Sequence, residues 1–371
     1  MKVLVTGGAG FIGSHTVDLL VERGHDVRIL DNFENQVHGG SRPTYINGTA
    51  ELTSGDILDK KTWVKALTGV EAVIHLAAMV GMGQSMYQPV RYMMANSIGT
   101  ANMYEAIIEN PEIKNNLKKI VSASSKSIYG EGSYRCGQHG VINPVNRPVD
   151  QLARGQWEVL CPHCGNEMAP VGITEDKPPQ NLAAYALSKY DTERLTLMFG
   201  DTLKIPSITF RYFNVYGPRQ SLGNPYTGVA AIFLSRVKND NPPVIYEDGK
   251  MVRDFIFVED VAMGNVLALE KGRETDVFNL GTGKSVTIEQ IARTLIELNG
   301  REIEPKITNE FRPGDSRHDF ADIGRAEKKL GFKPKWSLKS GMEKLVEWSD
   351  DQKAVDKFDQ AEKERIRYLG G

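Results

Sequence analysis

The chain has 371 residues, and its 45 basic and 47 acidic side chains nearly cancel to a net charge of −2. That length can bury a large core in one big domain or two intimate lobes, while the balanced charge argues against a nucleic-acid binder that works by phosphate neutralisation. Apolar runs such as residues 3–5 or 72–78 are far shorter than the ~20 residues that cross a bilayer, so no membrane span is expected.

Residues 2–6 form a short β-branched run that flows into Gly7, Gly10 and Gly13, after which apolar residues recur at helical spacing through Val21. The pattern predicts strand, glycine turn and helix. Gly7 supplies the tight turn, Gly10 lets backbone approach a pyrophosphate, and Gly13 permits close helix packing. The free N–H groups at the helix start, around Phe11 and Ile12, face the phosphates. A second strand over residues 26–30 ends at Asp31, well placed for an adenosine ribose hydroxyl. A carboxylate there repels the extra phosphate of NADP, and Asn32 and Phe33 offer no basic replacement, so NAD is the expected cofactor. The plainer role for Asp31 is to cap the following turn. Two further strand-like runs end at residues 55–57 and 75–78, where a doubly wound sheet lines its cofactor crevice.

After an apolar strand at 119–121 and a serine-rich stretch, all three cysteines fall in one window of 29 residues. Cys136 and His139 lie three apart, as do Cys161 and Cys164, and each pair is followed by glycine. Two such turns have zinc-ribbon spacing, and with Cys136, His139, Cys161 and Cys164 all bound the site is closed and structural. His163 is a spare ligand; three ordinary thiols are the plain alternative. A disulfide fits less well, because the count is odd and the N-terminus lacks the features of a secretory signal, which sets the expectation of a reducing cytoplasm. The insertion, residues 131–173, reads as lacking regular structure, and a bound metal would offset the entropy of ordering it. Its place in the chain puts it at an active-site rim, as a metal-stapled lid or a subunit contact.

Tyr185 and Lys189 stand four apart on a helix expected over residues 183–199, and so share one face. A free phenol has a pKa near ~10, and bringing it towards ~7 takes about 4 kcal/mol of preference for the phenolate. One unit charge at ~4 Å and an effective dielectric near ~20 supplies a similar amount. Tyr185 becomes a candidate general base beside the Lys189 cation, against the plain reading of a packed ring next to a solvated amine. Pro- and Gly-rich connections over 220–248 and 262–345 mark a smaller mixed lobe, and the charged stretch 350–367 reads as an exposed helix. The expected fold class is α/β: a Rossmann doubly wound parallel sheet over 1–215, joined again by residues near 250–261. A substrate lobe follows over 216–348, then a charged helical tail over 349–371.

The glycine spacing, the serine segment 122–130, the Tyr185–Lys189 pair and the run 211–219 together resemble the extended short-chain dehydrogenase/reductase family. The closest branch is that of the nucleotide-sugar epimerases and dehydratases, over residues 1 to about 348 without the insertion. Residues 80–87 and 122–134 are similar to those of dTDP-L-rhamnose 4-epimerases. The resemblance implies that Asp56 and Ile57 contact adenine and that Ala77 and Ala78 flank the cofactor. Ser85, Asn96 and residues 80–84 should line the pocket where sugar and cofactor meet, with Asn96 counted among the cofactor contacts. Ser125 matches the catalytic hydroxyl, with Ser124 its competitor one residue away. Lys189 should also grip the nicotinamide ribose. Asn214, Arg253 and Arg312 match residues that hold the sugar diphosphate, although salt bridges are the plainer role for both arginines.

The two residues after Ser125 are Lys126 and Ser127, where dehydratases carry an acid and a base and the UDP-glucuronate decarboxylases a glutamate. The expectation is therefore NAD-dependent epimerisation of a nucleotide-diphosphate sugar, most simply at C4, by oxidation and re-reduction. A dehydratase, decarboxylase or 4-keto reductase is the rival enzyme, and an NAD-binding sensor or scaffold the rival of another class. The family commonly dimerises through helices like those near 89–109 and 183–199, so a homodimer is expected.

Overall fold

The computed structural model describes residues 1–369. At its centre lies a seven-stranded sheet in the order Asp276–Leu280, Ser207–Tyr212, Lys119–Ser125, Ala72–His75, Lys2–Thr6, Asp26–Asp31, Glu51–Ser54. All neighbouring pairs are parallel. Strands such as Ala72–His75 are wholly buried because helices cover both faces, which is why they read as apolar runs and not as alternations. On one face, Val17 and Leu20 of the helix Phe11–Glu22 share a core with Val261 and Val266 of the helix Val258–Lys271. On the other, Trp63, Met103 and Tyr104 pack with Leu195 and Phe199 of the helix Ala184–Leu203. The strand order reverses between Lys2–Thr6 and Ala72–His75, the place where ligands bind in such sheets.

The smaller lobe has its own core, in which Phe233 and Leu234 of Val229–Lys238 meet Ile291 and Leu295 of Ile288–Leu298 and Met342 and Leu345 of Leu338–Ser349. Ile288–Leu298 starts at a capping box between Thr287 and Gln290. The lobe's strands are short; Val252–Arg253 lies between Val286–Thr287 and His318–Asp319.

Three expectations are corrected. The return to the larger lobe is longer than residues 250–261, since Val258–Lys271 covers the sheet and Asp276–Leu280 forms its edge beside Ser207–Tyr212. The insertion is regular: Ser133–Cys136 pairs antiparallel with both Gly140–Ile142 and Ala169–Val171, and a helical turn spans Val149–Ala153. The tail becomes helical only at Phe358–Leu369, and it is docked, with Tyr87 stacked on Tyr368 and the phenols of Tyr87 and Tyr226 both donating to Glu364.

Candidate active site

The cleft at the strand reversal encloses about 650 Å³ and is lined from both lobes. Its floor is the glycine turn, where Gly7 has φ +65° and a Cβ on Gly7 would meet the Ala77 backbone nitrogen at 2.8 Å. A Cβ on Gly13 would lie 2.0 Å from the Gly7 carbonyl oxygen, so only glycine lets the helix close on the turn. Gly10, Phe11, Ile12, Asn32, Asp56, Ile57, Ala77 and Ala78 line the same cleft. Asp31 does too, and it also performs the capping role: its carboxylate accepts from the Ala9 N–H at 3.0 Å and the Phe33 N–H at 2.9 Å. Asn32 donates to Asp56 at 3.0 Å, tying two strand ends together.

Ser125 ends the strand Lys119–Ser125, and its Oγ accepts from both the Ser127 backbone N–H at 3.2 Å and the Ser127 hydroxyl at 2.9 Å. The phenol of Tyr185, in the first turn of Ala184–Leu203, lines the cleft near Ser125. Ser124 also lines the cleft, but its buried hydroxyl has no hydrogen-bond partner among the described residues. Lys189, one helical turn beyond Tyr185, completes the constellation. Burial pushes the Lys189 ammonium down to about 7. Burial likewise raises the Tyr185 phenol, against the pull of Ser125. This corrects the electrostatic expectation: a lysine that is itself half neutral near pH ~7 is not a full unit charge, and the protein alone keeps Tyr185 protonated. Beneath the site, His75 is neutral, its pKa driven to about 3 by burial and by Lys189, and it bridges Thr6 at 2.8 Å and Thr100 at 3.1 Å.

Of the other expected contacts, Asn214 lines the cleft and Ser85, Asn96, Arg253 and Arg312 do not. The Asn96 amide donates to the Met79 carbonyl at 3.0 Å and Ser188 at 2.9 Å, and accepts from the Met79 N–H at 2.8 Å. It thus holds Met79, which does line the cleft. Ser85 is buried and donates to the Met82 carbonyl at 2.7 Å. Asn214 faces the cleft while donating to the Asp254 carbonyl at 3.1 Å. Arg253 is turned to Asp319 at 3.1 Å and to the carbonyls of Val252, Ser316 and Arg317. Arg312 lies over the Tyr246 ring at 3.9 Å and pairs with Asp315 at 3.5 Å. The arginines that do line the cleft are Arg91, paired with Glu34 at 2.8 Å, and Arg219, paired with Asp18 at 2.6 Å. Arg219 closes the run that follows Ser207–Tyr212, and that position was its only signal. Lys126 also faces the cleft, with its ammonium 2.7 Å from Asp319.

In the insertion, the ligand atoms of Cys136, His139, Cys161 and Cys164 all lie within 4.8 Å of one another. The Cys136 and Cys164 sulfurs are 3.7 Å apart, and each of Cys136 and Cys161 stands 3.5 Å from His139 Nδ1. A tetrahedral zinc with ordinary bond lengths has edges of ~3.8 Å between sulfurs and ~3.6 Å between sulfur and nitrogen. His163 is outside the group, its ring 5.0 Å from that of His139. Among the described residues lining the cleft none belongs to the insertion.

Known proteins share this fold and sequence. The chain is 34% identical to the dTDP-L-rhamnose 4-epimerase of Burkholderia thailandensis over 94% of each chain. It superposes on the UDP-glucose 4-epimerase of Thermotoga maritima, solved with UDP-glucose, with a TM-score of 0.76 and 32% identity over 94% of this chain and 99% of that one. The UDP-glucuronic acid 4-epimerase of Bacillus cereus, solved with UDP-glucuronic acid and NAD, gives 0.77 and 27% over 95% and 100%. Residues 3–148 and 164–281 match the NAD dependent epimerase/dehydratase family, and the gap between them falls inside the cysteine insertion. The chain is a member of that family.

Proposed function

We propose that this protein is an NAD-dependent nucleotide-sugar epimerase that inverts C4 of a nucleotide-diphosphate hexose. The observation that carries the reading is that Ser125, Tyr185 and Lys189 are gathered in one glycine-floored cleft, where Lys126 and Ser127 replace a proton-shuttling carboxylate pair. The turn from Gly7 to Gly13, whose backbone closes only without a Cβ at either glycine, lines the cleft and fits a dinucleotide pyrophosphate, and Asp31 suits its ribose hydroxyls. Bound NAD would supply reversible hydride acceptance.

As the phenolate, Tyr185 takes the C4 hydroxyl proton, and it gives that proton back to the same oxygen after the 4-keto sugar has turned and C4 presents its other face. Ser125 holds the reacting oxygen within reach of the phenol. Its own oxygen is fixed by the two Ser127 bonds, so the hydroxyl proton of Ser125 is free to point at the substrate. The uncharged Tyr185 of the protein alone is the form that donates to a ketone oxygen. Lys189, with its pKa near neutrality, follows the phenol's proton by gaining or losing charge beside it. Asn214, Arg219 and Lys126 supply donors for the sugar diphosphate, a role that the family resemblance also gives to Arg253 and Arg312.

Zinc is the ion the insertion's donor set fits, three thiolates and one imidazole at tetrahedral spacing. Its thiolates suit a reducing cytoplasm. A homodimer is supported by the exposed apolar side chains Val90 and Ile98 on one side and Leu187 and Met198 on the other, each on a helix beside the sheet.

Proton NMR of the protein with UDP-, dTDP- and GDP-hexoses in deuterated water tests the reaction. Appearance of the C4 epimer without added NAD and without deuterium in the sugar is the expected result, and Tyr185→Phe should slow it ~10²- to 10⁴-fold. Deuterium at C5 or C6, or release of carbon dioxide, would replace the epimerase with an eliminating or decarboxylating enzyme.

A further inference from the structure

The insertion is fastened at both ends to a single stretch of the smaller lobe, residues 317–322. At its start, both Glu131 oxygens accept from the Arg317 backbone N–H at 2.9 Å. The Tyr134 hydroxyl donates to Glu131 at 2.8 Å while accepting from the His318 N–H at 3.1 Å. The backbones there are in contact, for a Cβ on Gly132 would lie 1.8 Å from the His318 carbonyl oxygen. At its end, the Ile173 N–H donates to the Phe320 carbonyl at 2.8 Å and the Ile173 carbonyl accepts from the Asp322 N–H at 2.9 Å. Between the two ends, Glu158 receives the Arg317 guanidinium at 2.5 Å and His318 at 3.0 Å. Arg147 grips Glu247 at 2.7 Å. Arg317 is fully buried in this ring of carboxylates.

The same stretch reaches the cleft from its other side. One oxygen of Asp319 receives Lys126 at 2.7 Å, Arg253 at 3.1 Å and the Ser316 hydroxyl at 2.6 Å. Arg253 donates as well to the carbonyls of Ser316 at 2.8 Å and Arg317 at 3.1 Å. Lys126 follows Ser125 directly and faces the cleft. Tyr134 and Cys136 lie two apart on the strand Ser133–Cys136, hence on one face, and share an apolar cluster with Cys161. A continuous path therefore runs from the Cys136–Cys161–Cys164–His139 cluster through Tyr134 and Glu131 to residues 316–319, and from there to Lys126.

We propose that the cysteine insertion is a metal-stiffened buttress. It fixes residues 316–319, and through Asp319 it sets the position of Lys126 and Arg253 for the substrate. Tyr134, Glu131 and Asp319 are positioning residues. The kinetic part rests on the epimerase reading; the mechanical part does not. Buried polar contacts of this kind hold a segment in one of few discrete arrangements, and breaking one such contact shifts coupled sites by factors of roughly 2 to 30.

The test compares the metal-loaded full chain, the chelator-treated chain and the metal-loaded Tyr134→Phe variant. Metal content, amide hydrogen exchange and kinetics are measured on each. Tyr134→Phe keeps all four ligands and the ring, so it carries the test should the metal-free chain lose its fold. Expected are one zinc per chain, retained in Tyr134→Phe, and faster exchange at 316–320 in both treated proteins with the strand Lys2–Thr6 unchanged. KM for the nucleotide sugar should rise about three- to tenfold, with kcat altered less than about twofold. Absence of bound metal, or a change in exchange confined to residues 131–142 with KM unaltered, overturns the buttress. Turnover on no nucleotide sugar, with the exchange response intact, sinks the epimerase reading and leaves the buttress standing.

Discussion

Lys189 is the residue on which proton chemistry and stability meet. Folding lowers its pKa from 10.5 to about 7 through burial alone. Between those values the unfolded chain binds more protons than the folded one, so this side chain makes stability rise with pH across that window. Below pH ~7 the folded protein bears the whole cost of a buried ammonium. Lys189→Met removes the ionisable group and keeps the chain length. In the cofactor-free protein, scanning calorimetry should find this variant melting higher than the wild type at pH ~6, with the gap shrinking as pH approaches ~10. A variant that melts lower than the wild type at pH ~6 would show that the ammonium is stabilised by the fold. The residue scale also shows where sequence reasoning stops. The spacing of Tyr185 and Lys189 was legible because a helix has one period. Which hydrogen bonds would claim Asn96 or Arg253 was not, because their partners Met79, Ser188, Asp319 and Ser316 are brought near only by tertiary packing.

At the scale of elements, the helix Ala184–Leu203 has to present Tyr185 to a serine on a strand, and a buried ion pair sets that relation. Arg211 on Ser207–Tyr212 makes two bonds to Glu193, at 2.9 and 2.6 Å, and continues to Tyr129 at 2.8 Å and the Glu175 carbonyl at 2.7 Å. Glu193→Ala leaves the guanidinium buried without its counterion, a loss of about 3–5 kcal/mol. Chemical denaturation is the measurement, and a loss below about 1 kcal/mol would mean the pair does not lock helix to strand. The strands of the large sheet could be read as apolar runs with turn signals. The strands of the insertion could not, since Gly140–Ile142 and Ala169–Val171 have three residues each, too few for any period, and pair only through Ser133–Cys136.

For the molecule as a whole, the two helical stretches that cover one face of the sheet keep Val90, Ile98, Leu187 and Met198 exposed. If that face is shared with a second copy, light scattering should give twice the chain's 41.2 kDa, and the double variant Ile98→Glu, Leu187→Glu should give the single mass with the fold retained. A single mass in the wild type would end that proposal. The order of the strands has one more consequence. The large sheet takes its edge strand, Asp276–Leu280, from beyond the start of the smaller lobe, and Ser207–Tyr212 pairs with it along its whole length. During synthesis the cofactor lobe therefore cannot complete itself when the ribosome has passed residue 215; it must wait, with an open edge, until about sixty more residues have emerged. At a ribosome's pace of roughly 5–20 residues per second that is several seconds of exposure, and the two lobes must mature together instead of in turn.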